Sequence, residues 1–193
     1  METKTFFTFL PSEACGTEKT GNRETMKIEA ITKENLPRCR ELILPYIYEE
    51  LENYEGDPAA EYICLQYNET GENGTAAPVS ALIMLLEPEG ELALLSVYTL
   101  PEYRRQGYAS ELLAKAVFVA RKLFQFDEGA NEEFIDLKAV YRLTDEYRTA
   151  FEAFLKINGF TDFYLIDEED APQVWAAVAE LRFYKTQLPG NNY

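Results

Sequence analysis

Histidine is absent from all 193 residues, and that one absence removes Ser-His-Asp triads, His-ligated metals and histidine acid-base chemistry together. Cysteine is scarce. Cys15, Cys39 and Cys64 are an odd number, spaced too widely for a CxxC redox or zinc motif, and no histidine is there to take a thiol proton. Neither a metal site nor a disulfide framework is expected. Positive charge is thin as well: 18 Lys and Arg stand against 34 Asp and Glu, for a formal net charge of −16. That charge repels nucleic-acid phosphates and anionic lipid surfaces, so neither is an expected partner. The same field draws in cations such as a primary amine, although many soluble proteins are acidic for solubility alone. Long apolar runs are also lacking. The longest, around Ala81–Leu86, falls far below the roughly eighteen residues of a membrane-spanning helix. No basic leader precedes an apolar stretch at the N-terminus, and a cytoplasmic location is the expectation.

What is present is a composition that packs. Hydrophobic residues make up 47%, with twelve Phe and thirteen Tyr, enough for a substantial core in one domain. Residues 1–25 show no sustained periodicity and read as a weakly structured N-terminal extension, with a single domain over 26–193. Residues 27–31 read as a first strand, and Thr32–Asn35 supply N-cap candidates for a helical stretch. Pro45 divides that stretch into two short helices, about 36–44 and 46–54. Glu61–Asn68 alternates as a half-buried strand, Ala77–Leu86 is a strongly apolar one, and Glu91–Leu100 is a third, with turns at Asn73-Gly74 and Pro88-Glu89-Gly90. Ser110–Phe124 has one apolar helical face. Phe134–Val140 reads as a strand, Asp145–Ile157 as a helix stopped by Asn158-Gly159, and Phe160–Ile166 as another strand. Ala171–Ala177 reads as helical and Ala179–Gln187 as a closing strand.

The chemistry concentrates between the third meander strand and the helix after it. A helix N-terminus exposes backbone N–H groups and a partial positive charge, and it receives a phosphate without further machinery. Gly107 lets the main chain approach a diphosphate with no Cβ in the way, Ala109 keeps the next turn low, and Arg104 and Arg105 add charge where the chain is otherwise acidic. Val97-Tyr98-Thr99-Leu100-Pro101-Glu102-Tyr103-Arg104-Arg105-Gln106-Gly107-Tyr108-Ala109 resembles motif A of the GNAT superfamily of acyl-CoA-dependent N-acyltransferases. That motif reads Arg/Gln-x-x-Gly-x-Gly/Ala after an apolar strand. The resemblance extends over about Met26–Gln187.

It implies an α/β (α+β) fold, a GNAT-like mixed, mostly antiparallel sheet of six to seven strands flanked by helices, with a splayed central strand pair. It also implies that acetyl-CoA is the cosubstrate, with no metal. Backbone groups of Val97, Tyr98 and Thr99 would meet the pantetheine amides and thioester oxygen, and Arg104, Arg105, Gln106, Gly107, Tyr108, Ala109 and Ser110 the diphosphate. The acceptor would be an amine on a small molecule or peptide, attacking the thioester directly in a ternary complex; a homodimer is left open. The family's later segment carries a Tyr that serves as general acid. Aligned on Gly159-Phe160, this chain has Leu155 there, which has no proton to give. Tyr147 and Tyr141 are nearby substitutes, with Tyr147 preferred, and Glu91 is the candidate base. The acidic cluster Glu49, Glu50, Glu52, Glu55 and Asp57 lies in the region that lines the family's acceptor site. A non-catalytic acyl-CoA-binding module is the alternative. A different nucleotide ligand ranks below both, because GxGxxG and GxxxxGK[ST] are absent.

Overall fold

In the computed structural model the described residues are 27–55, 61–71, 74–87, 90–123, 132–141, 145–166 and 174–184. The expected N-terminal extension, with Cys15, lies outside them, as do Asn73, Pro88 and Glu89 of the expected turns. Seven strands form one sheet in the order β1-β2-β3-β4-β5-β7-β6. By internal contacts the chain divides into two units, Met1–Leu85 with Leu95–Ala116, and Leu86–Leu94 with Val117–Tyr193.

In the first unit, β1 (Lys27–Ala30) pairs antiparallel with β2 (Tyr62–Thr70), and β2 pairs antiparallel with β3 (Ala76–Leu86). A 3-10 helix at Leu36–Leu42 and helix α1 at Pro45–Asn53 fill the connection. The break falls where the sequence predicts it, because a proline at the first helical position lacks only an N–H that would have gone unbonded. Asn35 does not cap the helix with its side chain. It closes the turn after β1 instead, accepting from Thr32 N–H at 2.7 Å and donating to the Ala30 carbonyl at 3.0 Å. Leu36, Cys39, Leu42, Ile47, Tyr48 and Leu51 pack with Tyr62, Cys64, Ala81 and Ile83, each large side chain contributing about 1.5–3 kcal/mol by leaving water.

β2 departs from the half-buried strand its alternation predicts: Tyr62–Asn68 is buried at every position. Polar Gln66 and Asn68 are accommodated because both donate to Glu29 Oε2, at 3.3 and 2.7 Å, while Gln66 Oε1 accepts from the Cys39 thiol at 2.7 Å. Against β3 the register shifts between Tyr67 and Asn68, which face Ser80 and Pro78 and leave Val79 as an extra residue. Pro78 has no N–H to give a ladder, and a bulge is where a strand tolerates that.

In the second unit, β5 (Glu132–Tyr141) and β7 (Val174–Tyr184) pair antiparallel, and β6 (Asp162–Ile166) pairs with the other edge of β7. The expected helix over 171–177 is therefore a strand from Val174 onward. Its alanines favour a helix locally, but β5 and β6 both bond to this stretch, and ladder partners on two sides override a weak propensity. β4 (Glu91–Thr99) runs parallel to β5, with Glu91–Leu94 facing Asp136–Ala139, and the ladder ends there although β4 continues for five residues. The β4–β5 ladder thus covers only the first four residues of β4. Helix α2 spans Tyr108–Leu123 and helix α3 spans Asp145–Ile157. No described helix is long and apolar enough to cross a membrane.

Helix α3 ends as Asn158-Gly159 predicts. Phe160 N–H bonds the Leu155 carbonyl at 3.1 Å, Gly159 N–H bonds the Lys156 carbonyl at 3.2 Å, and Gly159 has φ of 94°. This pair of bonds is a Schellman stop, which needs a left-handed residue. Gly159→Ala is expected to lower unfolding free energy by about 1–2 kcal/mol; an unchanged urea midpoint would show that the left-handed turn does not hold the helix end.

Candidate functional site

β4 ends on contacts with the β3 bulge. Leu100 N–H donates to the Val79 carbonyl at 3.0 Å, and Ser80 Oγ donates to the Tyr98 carbonyl at 3.0 Å and lies 2.8 Å from Thr99 Oγ1. One 3-10 turn, Pro101–Tyr103, follows, and the chain then reaches Tyr108 through four exposed residues, Arg104–Gly107. Arg105 has φ of 62° and is the sole non-glycine with positive φ among the described residues; Gly107 has φ of 90°. A left-handed arginine costs about 1–2 kcal/mol, and such strain is kept where the surrounding structure imposes it. Two left-handed residues one apart turn the backbone sharply between the end of β4 and the start of α2.

Helix α2 opens two residues earlier than the sequence predicts, at Tyr108, because that ring is buried, only 5% exposed, and stacks on Tyr67 with 4.5 Å between centroids. Glu111 N–H bonds the Gly107 carbonyl at 3.0 Å. The first helical turn thus begins directly at the curl. A Cβ built on Gly107 meets nothing within 4 Å, so the approach to this backbone is open and a side chain here would occupy it.

The predicted loop residues divide by role. Arg104 Nε donates to the Thr99 carbonyl at 3.1 Å, and its guanidinium lies 5.3 Å from the centre of the Tyr98 ring, so Arg104 braces the end of β4. Arg105 projects its charge from an exposed position. Gln106 Nε2 reaches the Glu102 carbonyl at 3.4 Å and its Oε1 accepts from the Tyr108 hydroxyl at 2.8 Å. Tyr108 can offer a ligand only backbone, since its side chain points inward. Ala109 and Ser110 are half-buried in the first turn of α2, and Val97 and Thr99 are half-buried on β4, with Tyr98 39% exposed. Nothing in the local motif marked Tyr67 and Ser80, which come from β2 and β3; only the pairing of strands brings them here.

The proton-transfer candidates are on other elements, each with its own surroundings. Glu91 Oε1 accepts from Lys138 Nζ at 2.9 Å across the β4–β5 ladder, and this bond raises the lysine pKa. Tyr147 is 62% exposed on the first turns of α3. Tyr141 is buried and donates to Glu152 Oε1 at 3.1 Å; desolvation first, and then that bond, push its pKa up. Leu155 is fully buried, so its position is core. In the acidic cluster, Glu50 accepts from the Tyr62 hydroxyl at 2.6 Å and Glu52 from the Tyr48 hydroxyl at 3.3 Å; Asp57 lies outside the described residues. A cleft of about 300 Å³ is lined by Pro37, Arg38, Arg40, Glu41, Leu42, Pro78 and Leu100.

The sequence profile of the Acetyltransferase (GNAT) family matches residues 28–139, which include the whole β4-loop-α2 segment, and the chain belongs to that family. No curated protein matches the chain in sequence. Solved structures with the same fold include a GNAT-family protein from Desulfovibrio desulfuricans, 14% identical with a TM-score of 0.59, over 81% of this chain and 98% of that one. The ribosomal-protein-S18-alanine N-acetyltransferase from Escherichia coli is 16% identical with a TM-score of 0.53, over 88% and 99%. A Salmonella typhimurium protein solved with its cofactor acetyl-CoA is 15% identical with a TM-score of 0.55, over 87% and 99%. At such identities the likeness is one of fold.

The described cysteines, Cys39 and Cys64, are free and buried. Desolvation pushes the Cys39 thiol up to about 11 and the Cys64 thiol up to about 12, which suppresses the thiolate a nucleophile needs. No group of three or more potential metal ligands occurs among the described residues. At pH 8 both thiols are expected to resist Ellman's reagent in the folded protein and to react in guanidinium. Labelling of either at the unfolded rate, located by peptide mapping, would contradict this burial.

Proposed function

We propose that the protein is an N-acetyltransferase that moves an acetyl group from acetyl-CoA to a primary amine by direct attack in a ternary complex. The observation that carries this reading is the curled Arg104–Gly107 backbone, opening on the N-terminus of α2 immediately after a β4 end that has left its β5 partner. Amides from Arg105 to Ser110 hold the diphosphate of acetyl-CoA, aided by the dipole of α2 and by the exposed Arg105. Arg104 acts by bracing the strand end, and Gln106 by tying the loop to Tyr108. The pantetheine arm lies along Val97–Thr99. The Thr99 carbonyl accepts one bond from Arg104 and has a second lone pair for it.

The bound thioester offers an acyl carbonyl to attack. The amine lone pair forms the C–N bond, the C–S bond breaks, and the thiol leaves with a proton. Holding both partners in line can supply about 7–11 kcal/mol of rate enhancement. The acceptor is an amine on a small molecule or peptide, and the net charge of −16 favours a cationic one. Tyr147 is the offered acid, its exposure leaving the hydroxyl accessible. Glu91 is the offered base, but roughly 20 Å of strand separates it from Val97, so its proton transfer runs through water.

A second reading, a non-catalytic acyl-CoA-binding module, is favoured by the buried Leu155 at the family's acid position. Thiol release from acetyl-CoA across polyamines, amino acids and N-terminal peptides separates the two. Release with one amine class supports the enzyme; tight binding without release across the whole panel supports the module.

Gly107→Glu is expected to abolish acetyl-CoA binding by calorimetry with an unchanged circular dichroism spectrum, whereas Gly107→Ala, sharing the backbone strain without the charge, should weaken it only several-fold. Undiminished affinity in folded Gly107→Glu would remove this loop as the site. Tyr147→Phe is expected to lower kcat about 100-fold while leaving the KM for acetyl-CoA unchanged. Retention of full turnover would exclude Tyr147 as the acid.

A further inference from the structure

Along β2, successive side chains take opposite faces. Gln66 and Asn68 turn toward Glu29; Tyr67 and Glu69 take the face opposite. Tyr67 lies flat against Tyr108, with 4.5 Å between ring centroids and 24° between planes, and Tyr108 stands 6.5 Å from Tyr103. Interaction with the Glu69 carboxylate, ahead of desolvation, raises the Tyr103 phenol's pKa. The Tyr108 hydroxyl bonds Gln106. Residues 103, 106 and 108 of the loop segment are thus tied to one another and, through Tyr67 and Glu69, to strand β2. Glu69 Oε2 is buried and has no hydrogen-bond partner among the described residues.

We propose that Tyr67 and Glu69 are positioning residues for the diphosphate loop. They act through Tyr108 and Tyr103, at the two ends of the four-residue curl, and hold Arg105 in a left-handed conformation that a free loop would abandon. A relaxed curl would turn its amides away from one another and lose the anion, while β4 and its contact with the pantetheine arm would be unaffected. The inference rests on the acetyl-CoA reading above, and it assigns to β2 a part in cofactor recognition that the loop sequence alone does not contain.

The test compares two donors, acetyl-CoA and S-acetylpantetheine, which lacks the diphosphate, in binding competition on the full chain. Tyr67→Leu removes the stacked ring and keeps an apolar side chain; Tyr103→Phe removes only the hydroxyl. The expected result is a dissociation constant for acetyl-CoA at least tenfold higher in Tyr67→Leu and about threefold higher in Tyr103→Phe, with S-acetylpantetheine affinity unchanged in both. Equal losses for the two donors would mean a general structural role and overturn the proposal, as would unchanged acetyl-CoA affinity. Should Tyr67→Leu fail to fold, Tyr103→Phe carries the decision, because it creates no cavity. Failure of the wild-type chain to bind acetyl-CoA would instead sink the cofactor reading itself, a result distinct from binding that the variants leave untouched.

Discussion

Between Thr99 and Tyr108 the backbone must leave a strand, pass through two left-handed residues and enter a helix, and the site depends on that curl being held. Its cost is local: a non-glycine at φ of 62° is strained by its own Cβ. Its support is tertiary. The start of the segment is fixed where Leu100 bonds Val79, and its end where the Tyr108 ring stacks on Tyr67. Because Pro78 cannot donate, β3 bulges at Val79, and the bulge supplies the carbonyl that Leu100 needs. A proline on one strand thereby shapes the end of another.

Charge is arranged with the same economy. In a chain of net −16, the Glu69 carboxylate beside the curl interacts with the Tyr103 phenol, and the Gln106 amide reaches the Glu102 backbone carbonyl. The exposed guanidinium of Arg105 remains. Arg104, which by sequence alone looks like a second phosphate ligand, is committed to the Thr99 carbonyl and the Tyr98 ring. An arginine has donors enough for both tasks, but its first task is to hold the strand end.

Much of the fold was legible in the sequence because its signals are local. Pro45 starts α1, Gly159 stops α3, and the apolar face of α2 needs no partner to be recognised. The turn at 104–109 was legible for the same reason: a glycine and paired arginines stand directly ahead of an amphipathic helix. Where the reading failed, distant strands decided. Val174–Ala177 has a helical composition and becomes strand because β5 and β6 bond it on both sides. β2 alternates like a half-buried strand and is buried on both faces, its Gln66 and Asn68 amides donating to Glu29.

From its own residues, then, the chain determined that it would take a mixed α/β fold, that it would do without histidine chemistry, and that a glycine-containing turn with two arginines would open α2. Each of these follows from side-chain chemistry or from periodicities a few residues long. Only the tertiary structure decided which side chains brace that turn, where the β4–β5 ladder ends, and that Tyr108 faces inward. Those are contacts between segments tens of residues apart, and no local pattern encodes the register that brings them together.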